Sequence, residues 1–433
     1  MDFGPLRIDH LAGFASALCI VLLSIQLCIV AHASSSNTIP IEHIIIIVQE
    51  NHTFDNYFGT FPEANGLNED IFLPKSLNSS EVVRPFHLST HKLPHDLYHG
   101  WECAHEAYNE GKMDGFVYAV GSDFTLGYYD GSDIPYYWAY ASQYVLHDNF
   151  FSSVMGPSLP NFLYLLAGQS GSIVNNVAGV TFNFTSIVDE LDAKKISWKY
   201  YSSTGRGILT SFSSFKANES RLGNMARSNE FFSDIKRKLA NVVWILPWAD
   251  EFNESPIHDI TAGERWVVSL VNAIMQSKYW KSTAIFITWD DWGGWFDHVP
   301  PPQVDKFGYG FRVPLLTISP YAKQGFIDHI VGDHTSILKF VETVFSLPPL
   351  TQRDALANNL MEAFDFSQAP RAPFLLPEPQ YITEHYPVTV QSIEKIEETG
   401  FELHLEIVVS GAVTVTFLSI LAKRLRTPRG TNR

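Results

Sequence analysis

The sequence predicts an α/β fold, a mainly parallel central sheet with helices on both faces. Two apolar runs of strand length each end directly in a polar pair, and a segment between them repeats its apolar residues at helical spacing.

The first run is Ile41 to Gln49, with four consecutive isoleucines followed by Val48. Continuous rather than alternating apolarity marks a strand buried on both faces. It leads straight into Glu50-Asn51. Gly263 to Ser277 then places Trp266, Val267, Leu270, Val271 and Ile274 along one face of a helix. The second run, Thr283 to Trp289, ends in Asp290-Asp291. Ligands of open α/β sheets sit beyond the carboxyl ends of the strands, so both polar pairs fall where a site belongs. No internal repeat or low-complexity tract interrupts this order.

The two ends of the chain read as addresses. Arg7 precedes an apolar run from Leu11 to Val30, and Ala31-His32-Ala33 fits the small-x-small pattern of signal cleavage, giving an expected signal peptide over 1–33. The alternative is an uncleaved N-terminal anchor; either sends the chain along the secretory route. At the other end, Ile407 to Ala422 carries no charge and Lys423-Arg424-Leu425-Arg426 follows. Basic residues after an apolar stretch mark the cytosolic side of a membrane span. The 16 residues fall short of the roughly 20 a helix needs, so the expected membrane segment extends over 403–424, with a basic cytosolic tail over 425–433. The alternative is a buried terminal element. Pro370, Pro373, Pro377 and Pro379, then an acidic stretch, predict a stalk over 371–402. That leaves 34–370 as one folded domain, lumenal or extracellular and anchored to the membrane by its C-terminal segment.

Composition limits what the domain does. The formal net charge is -16, which excludes a basic surface that gathers nucleic acid. Cys19 and Cys28 lie in the expected signal, so only Cys103 remains and an ordinary hydrophobic core must hold the fold. With 45% hydrophobic and 14% aromatic residues, that core is available.

Three segments can carry chemistry, and each also has a bland reading. Glu50-Asn51 is a site or a plain strand-end turn. Asp290-Asp291 places two carboxylates side by side at the end of an apolar strand, where they repel unless a cation lies between them. Oxygen ligands suit a hard divalent metal; a solvated turn is the alternative, weakened by Trp289, Trp292 and Trp295. Ser158 sits in a turn stiffened by Gly156, Pro157 and Pro160. It is either a turn-former or a nucleophile whose hydroxyl a metal activates.

Taken together the segments resemble a known family. Gln49-Glu50-Asn51-His52-Thr53-Phe54-Asp55-Asn56-Tyr57-Phe58-Gly59 is similar to the opening motif of the phosphoesterase family that contains non-specific phospholipases C and related acid phosphatases. Gly111 to Phe116 resembles its second block, Ser153 to Asn161 its third, and Thr288 to Val299 its fourth, in family order across about residues 41 to 366.

The resemblance implies an alkaline-phosphatase-like fold and one divalent metal ion, of unspecified identity, held by Glu50, Asn51, Asp290 and Asp291. It places Ser158 at the nucleophile position and His99 near the phosphate, with His298 and His334 as further candidates for phosphate contact or leaving-group protonation. His298, next to Asp297 and close to the metal pair in sequence, is the foremost of these; His105 and His147 read as structural. Family sequences often have Glu-His-Pro where this chain has Glu254-Ser255-Pro256, and His258 is a candidate replacement. The expected activity is hydrolysis of phosphate monoesters, as an acid phosphatase, through a seryl-phosphate intermediate. Phospholipase C action on phospholipid head groups is the alternative. A third class, an inactive surface binding protein, predicts a lost ligand, yet all four ligand positions are filled.

Overall fold

A computed structural model describes residues 39–76, 79–247 and 252–377. The expected signal peptide, membrane segment and basic tail, and all but the first residues of the stalk, lie outside them.

Eight strands form the central sheet: β1 (His43–Gln49), β2 (Val145–His147), β3 (Trp198–Ser202), β4 (Met225–Arg227), β5 (Val242–Ile245), β6 (Thr283–Trp289), β7 (Leu315–Ile318) and β8 (Phe326–Asp328). Their order is β8-β2-β7-β6-β1-β5-β3-β4. From β6 to β4 every pairing is parallel. β7 runs antiparallel to both β6 and β2, while β8 pairs parallel with β2, so β7 alone opposes the rest. The mainly parallel α/β sheet predicted from sequence is therefore present.

The two strands read from sequence are central neighbours. Ile44 to Gln49 register against Ala284 to Trp289. All seven residues of each strand are buried. Successive side chains of a strand point to opposite faces, so burial of every residue means that both faces are covered. This pairing also brings the strand ends together: the Asp290 N–H donates to the Gln49 carbonyl at 3.0 Å. Glu50-Asn51 and Asp290-Asp291 thus meet beyond the carboxyl ends of these two central strands.

The described helices include α1 (Phe54–Phe58), α2 (Trp101–Tyr108), α3 (Pro135–Gln143), α4 (Ser158–Ala167), α5 (Ile260–Met275) and α6 (His334–Phe345). The predicted helix corresponds to α5 but starts three residues earlier. Asp259 makes the difference, because its carboxylate accepts from the Thr261 N–H and caps the first turn.

The domain runs further than its expected end at 370. Arg371 donates through Nη1 to the Gln143 carbonyl, and its own carbonyl accepts from Trp280 Nε1. Leu376 exchanges hydrogen bonds with the Asn272 side chain, and Phe374 packs edge-on to Tyr144. Residues 371–376 are thus not a free stalk. An extended proline-rich chain leaves its backbone groups unpaired, and here the domain surface supplies partners for them.

Cys103 is a free, buried thiol, and burial pushes it up to about 12. It packs as a small apolar residue.

Candidate active site

The site is assembled from the backbone outward. Asn51 takes a left-handed backbone (φ 71°) immediately after β1, and its N–H donates to Asp290 Oδ1 at 3.0 Å. The Asp291 N–H donates to the same oxygen at 2.8 Å. Asp291 Oδ1 accepts from the Gly293 N–H at 2.7 Å. One oxygen of each carboxylate is therefore fixed by backbone donors. Two atoms of the cluster remain buried without a hydrogen-bond partner, Asn51 Oδ1 and Asp290 Oδ2. Buried polar atoms are nearly always paired, so two orphaned acceptors beside two carboxylates fit a cation site.

Electrostatics agree. Burial, reinforced by the Asp291 charge, pushes the Asp290 carboxyl well above the ordinary carboxylate range. Asp291 is pushed up chiefly by burial and further by the Glu50 and Asp96 charges. A cation offsets all of these costs at once. The backbone N–H of Glu50 donates to the Asn253 carbonyl at 3.0 Å, which ties this ligand position to the 253–258 loop.

Ser158 stands at the first turn of α4, where helix N–H groups present partial positive charge to an approaching anion. Its hydroxyl donates to Asp291 Oδ2 at 3.2 Å. Asn161 holds the turn that presents it. The Asn161 amide donates to the carbonyls of Val154, Gly156 and Pro157 and accepts from the Val154 N–H at 3.0 Å.

The three candidate site histidines separate. His99 comes close to the acidic pair: its Nδ1 donates to the Leu97 carbonyl at 2.6 Å, and its own carbonyl accepts from Nε1 of Trp292, the residue after Asp291, at 3.0 Å. His334 is buried at the start of α6 and donates through Nε2 to the Trp289 carbonyl at 2.9 Å, just before the acidic pair. Burial lowers its pKa, and the ring braces the end of β6.

His298 is placed differently from the expectation that set it beside the metal pair. It bonds Asp55 Oδ2 at 2.7 Å and Asn65 Oδ1 at 3.3 Å, and none of its described hydrogen bonds reaches Ser158 or the acidic pair. Arg312, fully buried, joins this second cluster, donating to Asp55 at 2.9 Å and to Asp297 at 2.9 Å. Asp55, Asp297 and His298 come close enough to hold a metal, but the Arg312 guanidinium already bridges both carboxylates. The pairing of neighbours in sequence, Asp297-His298, hid the longer-range partners Asp55 and Arg312.

His105 and His147 sit as structural residues would. His105 bonds the Trp101 carbonyl one turn back, and His147 lies between Thr317 and Asp328. Of His258, the Nδ1 lies 2.7 Å from the Ser255 hydroxyl, so the loop that lacks the family histidine links its serine to this one.

Sequence reasoning missed Glu254 as a buried group. Its carboxyl accepts from Tyr57, Tyr137, Gln49 and Trp289, beneath the polar pairs, and burial pushes it up to about 8. Nothing local announces such a residue, because its four donors come from four separate segments.

Comparisons with known proteins show the family. The profile of the Phosphoesterase family matches residues 41–348. The chain is 28% identical over 409 residues to "Phospholipase C A" of Mycobacterium tuberculosis, covering 77% of this chain and 78% of that protein. It is 28% identical to "Non-hemolytic phospholipase C" of Pseudomonas aeruginosa, covering 80% of this chain and 60% of that one. It is 27% identical to "Non-specific phospholipase C1" of Arabidopsis thaliana, with 78% and 74% covered. The solved phosphonate monoester hydrolase of Agrobacterium radiobacter aligns with a TM-score of 0.40 at 10% identity, covering 71% and 74%. The chain belongs to the Phosphoesterase family and is a hydrolase acting on phosphoric ester bonds.

Proposed function

We propose that the chain hydrolyses phosphate monoesters, in the manner of an acid phosphatase, through a phosphoseryl intermediate on Ser158. The observation that carries this reading is the Ser158 hydroxyl held 3.2 Å from Asp291 Oδ2 at a helix N-terminus. A monoester is the smallest substrate that this chemistry needs.

Glu50, Asn51, Asp290 and Asp291 would hold one divalent ion. When bound, it would cancel carboxylate charge and polarise a phosphoryl oxygen. The orphaned Asn51 Oδ1 and Asp290 Oδ2 support this set. Asp291 Oδ2 holds the hydroxyl proton while the Ser158 oxygen attacks phosphorus and the ester P–O bond breaks. His99 in its imidazolium form donates through Nδ1 to the Leu97 carbonyl and gives its Nε2 proton to the leaving oxygen. It regains that proton from the attacking water while Asp291 returns its proton to the departing Ser158 oxygen. Water then cleaves the phosphoserine and restores the hydroxyl.

A second reading has its own support. The relatives above are phospholipases C by name, and a phospholipid differs only in having a bulkier leaving alcohol and a second ester. Turnover of p-nitrophenyl phosphate against phosphatidylcholine separates the two. A monoesterase turns over the first at least tenfold faster, and the reverse order selects the phospholipase. In either case domain export along the secretory route is part of the proposal.

A further inference from the structure

We propose a second divalent-metal site, of the zinc class, formed by His87, Asp130 and Asp133 and oriented by His91. It is separate from the Asp290–Asp291 centre. The ligand atoms of His87, Asp130 and Asp133 all lie within 4.8 Å of one another. His87 Nε2 stands 2.7 Å from Asp133 Oδ2 and 3.8 Å from Asp130 Oδ2. Tetrahedral zinc with bonds of about 2.0–2.1 Å separates its donor atoms by about 3.3–3.4 Å. The two separations straddle that value, so small shifts seat an ion. Mixed imidazole and carboxylate donors suit a borderline cation such as Zn²⁺ better than calcium or magnesium, which favour oxygen alone.

The carboxylates are aimed before any ion arrives. Ser132 donates to Asp130 Oδ1 from both its N–H (2.7 Å) and its hydroxyl (2.6 Å), which leaves Oδ2 towards His87. The Asp130 N–H donates to Asp133 Oδ2 at 2.9 Å, and His91 Nε2 lies 3.3 Å from the opposite oxygen, Asp133 Oδ1. That is the arrangement of an outer group that orients a metal-binding carboxylate. No arginine or lysine is among the described partners of these carboxylates, in contrast to the Asp55–Asp297 cluster, where Arg312 occupies the same role. Three protein ligands and a half-exposed histidine leave a fourth position to water, as in an open site.

The ion would act as a staple. His87 belongs to a two-residue ladder, Phe86–His87 with Gly127–Tyr128. The chain on the aspartate side bonds the active-site motif, Tyr129 N–H to the Asn56 carbonyl at 2.7 Å. On the other side, the His91 carbonyl accepts from the Ile260 N–H, and the Leu93 N–H donates to the Pro256 carbonyl. The 253–258 loop that holds Glu50 is therefore two hydrogen bonds from the cluster.

Zinc binding by the full chain tests the assignment, with Zn²⁺ alone as the probe and bound metal counted after equilibrium dialysis. His87→Gln should bind one ion fewer than the parent and keep its ester turnover within about twofold. His91→Gln should bind the same number, with the second ion held about 10- to 100-fold more weakly. The Asp290→Asn chain keeps this site by itself, and its cobalt form should show four-coordinate visible absorption that His87→Gln removes. Equal zinc counts in the parent and His87→Gln would overturn the proposal and leave a plain His–Asp–His hydrogen-bond cluster. Unchanged zinc in Asp290→Asn would instead count against the catalytic ligand set and leave this site standing.

Discussion

Gly293 and Asn51 touch backbone to backbone: a Cβ at 293 would lie 2.1 Å from the Asn51 carbonyl oxygen. Both residues are in the left-handed region, Gly293 at φ 57° and Asn51 at φ 71°. The contact locks the two polar pairs against each other at the ends of β1 and β6. Gly293→Ala should therefore damage the site twice. The left-handed backbone alone costs about 1–3 kcal/mol, and the methyl forces the two segments apart. Thermal unfolding should fall and ester turnover should drop at least tenfold; a variant with parental turnover refutes the coupling.

Asp290→Ala removes one of the four proposed ligands and relieves a buried like-charge pair. The folded spectrum should survive, while activity and bound divalent metal at the catalytic centre disappear together. Parental turnover after exhaustive chelation ends the metal proposal.

Ser158→Ala deletes the proposed nucleophile without disturbing the helix that carries it. The barrier should rise by several kcal/mol, roughly a thousandfold or more in rate. Rapid acid quench should trap phosphorylated Ser158 in the parent and nothing in the variant. Activity within a few-fold of the parent moves the nucleophile elsewhere.

Asn161→Ala tests the turn rather than the chemistry. The residue is fully buried and serves three carbonyls and one N–H. Its loss leaves buried backbone groups unpaired, at about 1–3 kcal/mol. Stability should fall by that amount in a denaturant melt, with kcat reduced more than KM raised, because Ser158 is misplaced. An unchanged melt contradicts the bracing role.

His298 gives the pH dependence. Burial works against its charge, but the Asp55 hydrogen bond and the charges of Asp55 and Asp297 outweigh it and raise the pKa above 6.5. A raised imidazole contributes stability that is fully present below 6.5 and is lost as pH climbs through the folded value. The stability gap between the parent and His298→Gln should be widest below pH 6.5 and shrink above it. A gap that widens with pH reverses the assignment.

Asn51-His52-Thr53 and Asn253-Glu254-Ser255 are formal N-x-Ser/Thr glycosylation motifs, as are Asn183-Phe184-Thr185 and Asn218-Glu219-Ser220, and the first two carry buried asparagines. Asn51 is 3% exposed and Asn253 6% exposed, its side chain accepting from the Ser255 N–H, whereas Asn183 and Asn218 are exposed. In exported protein, peptide mapping should find glycan on Asn183 or Asn218 and none on Asn51 or Asn253. Glycan on Asn51 in active enzyme refutes its ligand role.

By itself the sequence determined the frame. Four isoleucines at 44–47 and the apolar 283–289 run have the length and β-branched content of strands covered on both faces, and such strands lie parallel at the centre of an α/β sheet. Their polar ends, Glu50-Asn51 and Asp290-Asp291, were legible because each pair directly follows its strand. Ser158 was legible because Gly156, Pro157 and Pro160 announce a rigid turn. What only the tertiary structure decided is which distant groups close around these. Arg312 reaches Asp55 across 257 positions, and that pairing draws His298 into a charge cluster rather than onto the acidic pair. His334 turned inward to a carbonyl, and Glu254 gathered four donors under the floor. Local pattern reports burial and turns, since those depend on neighbours in the chain; the partner of a buried charge depends on which segments the sheet order brings together.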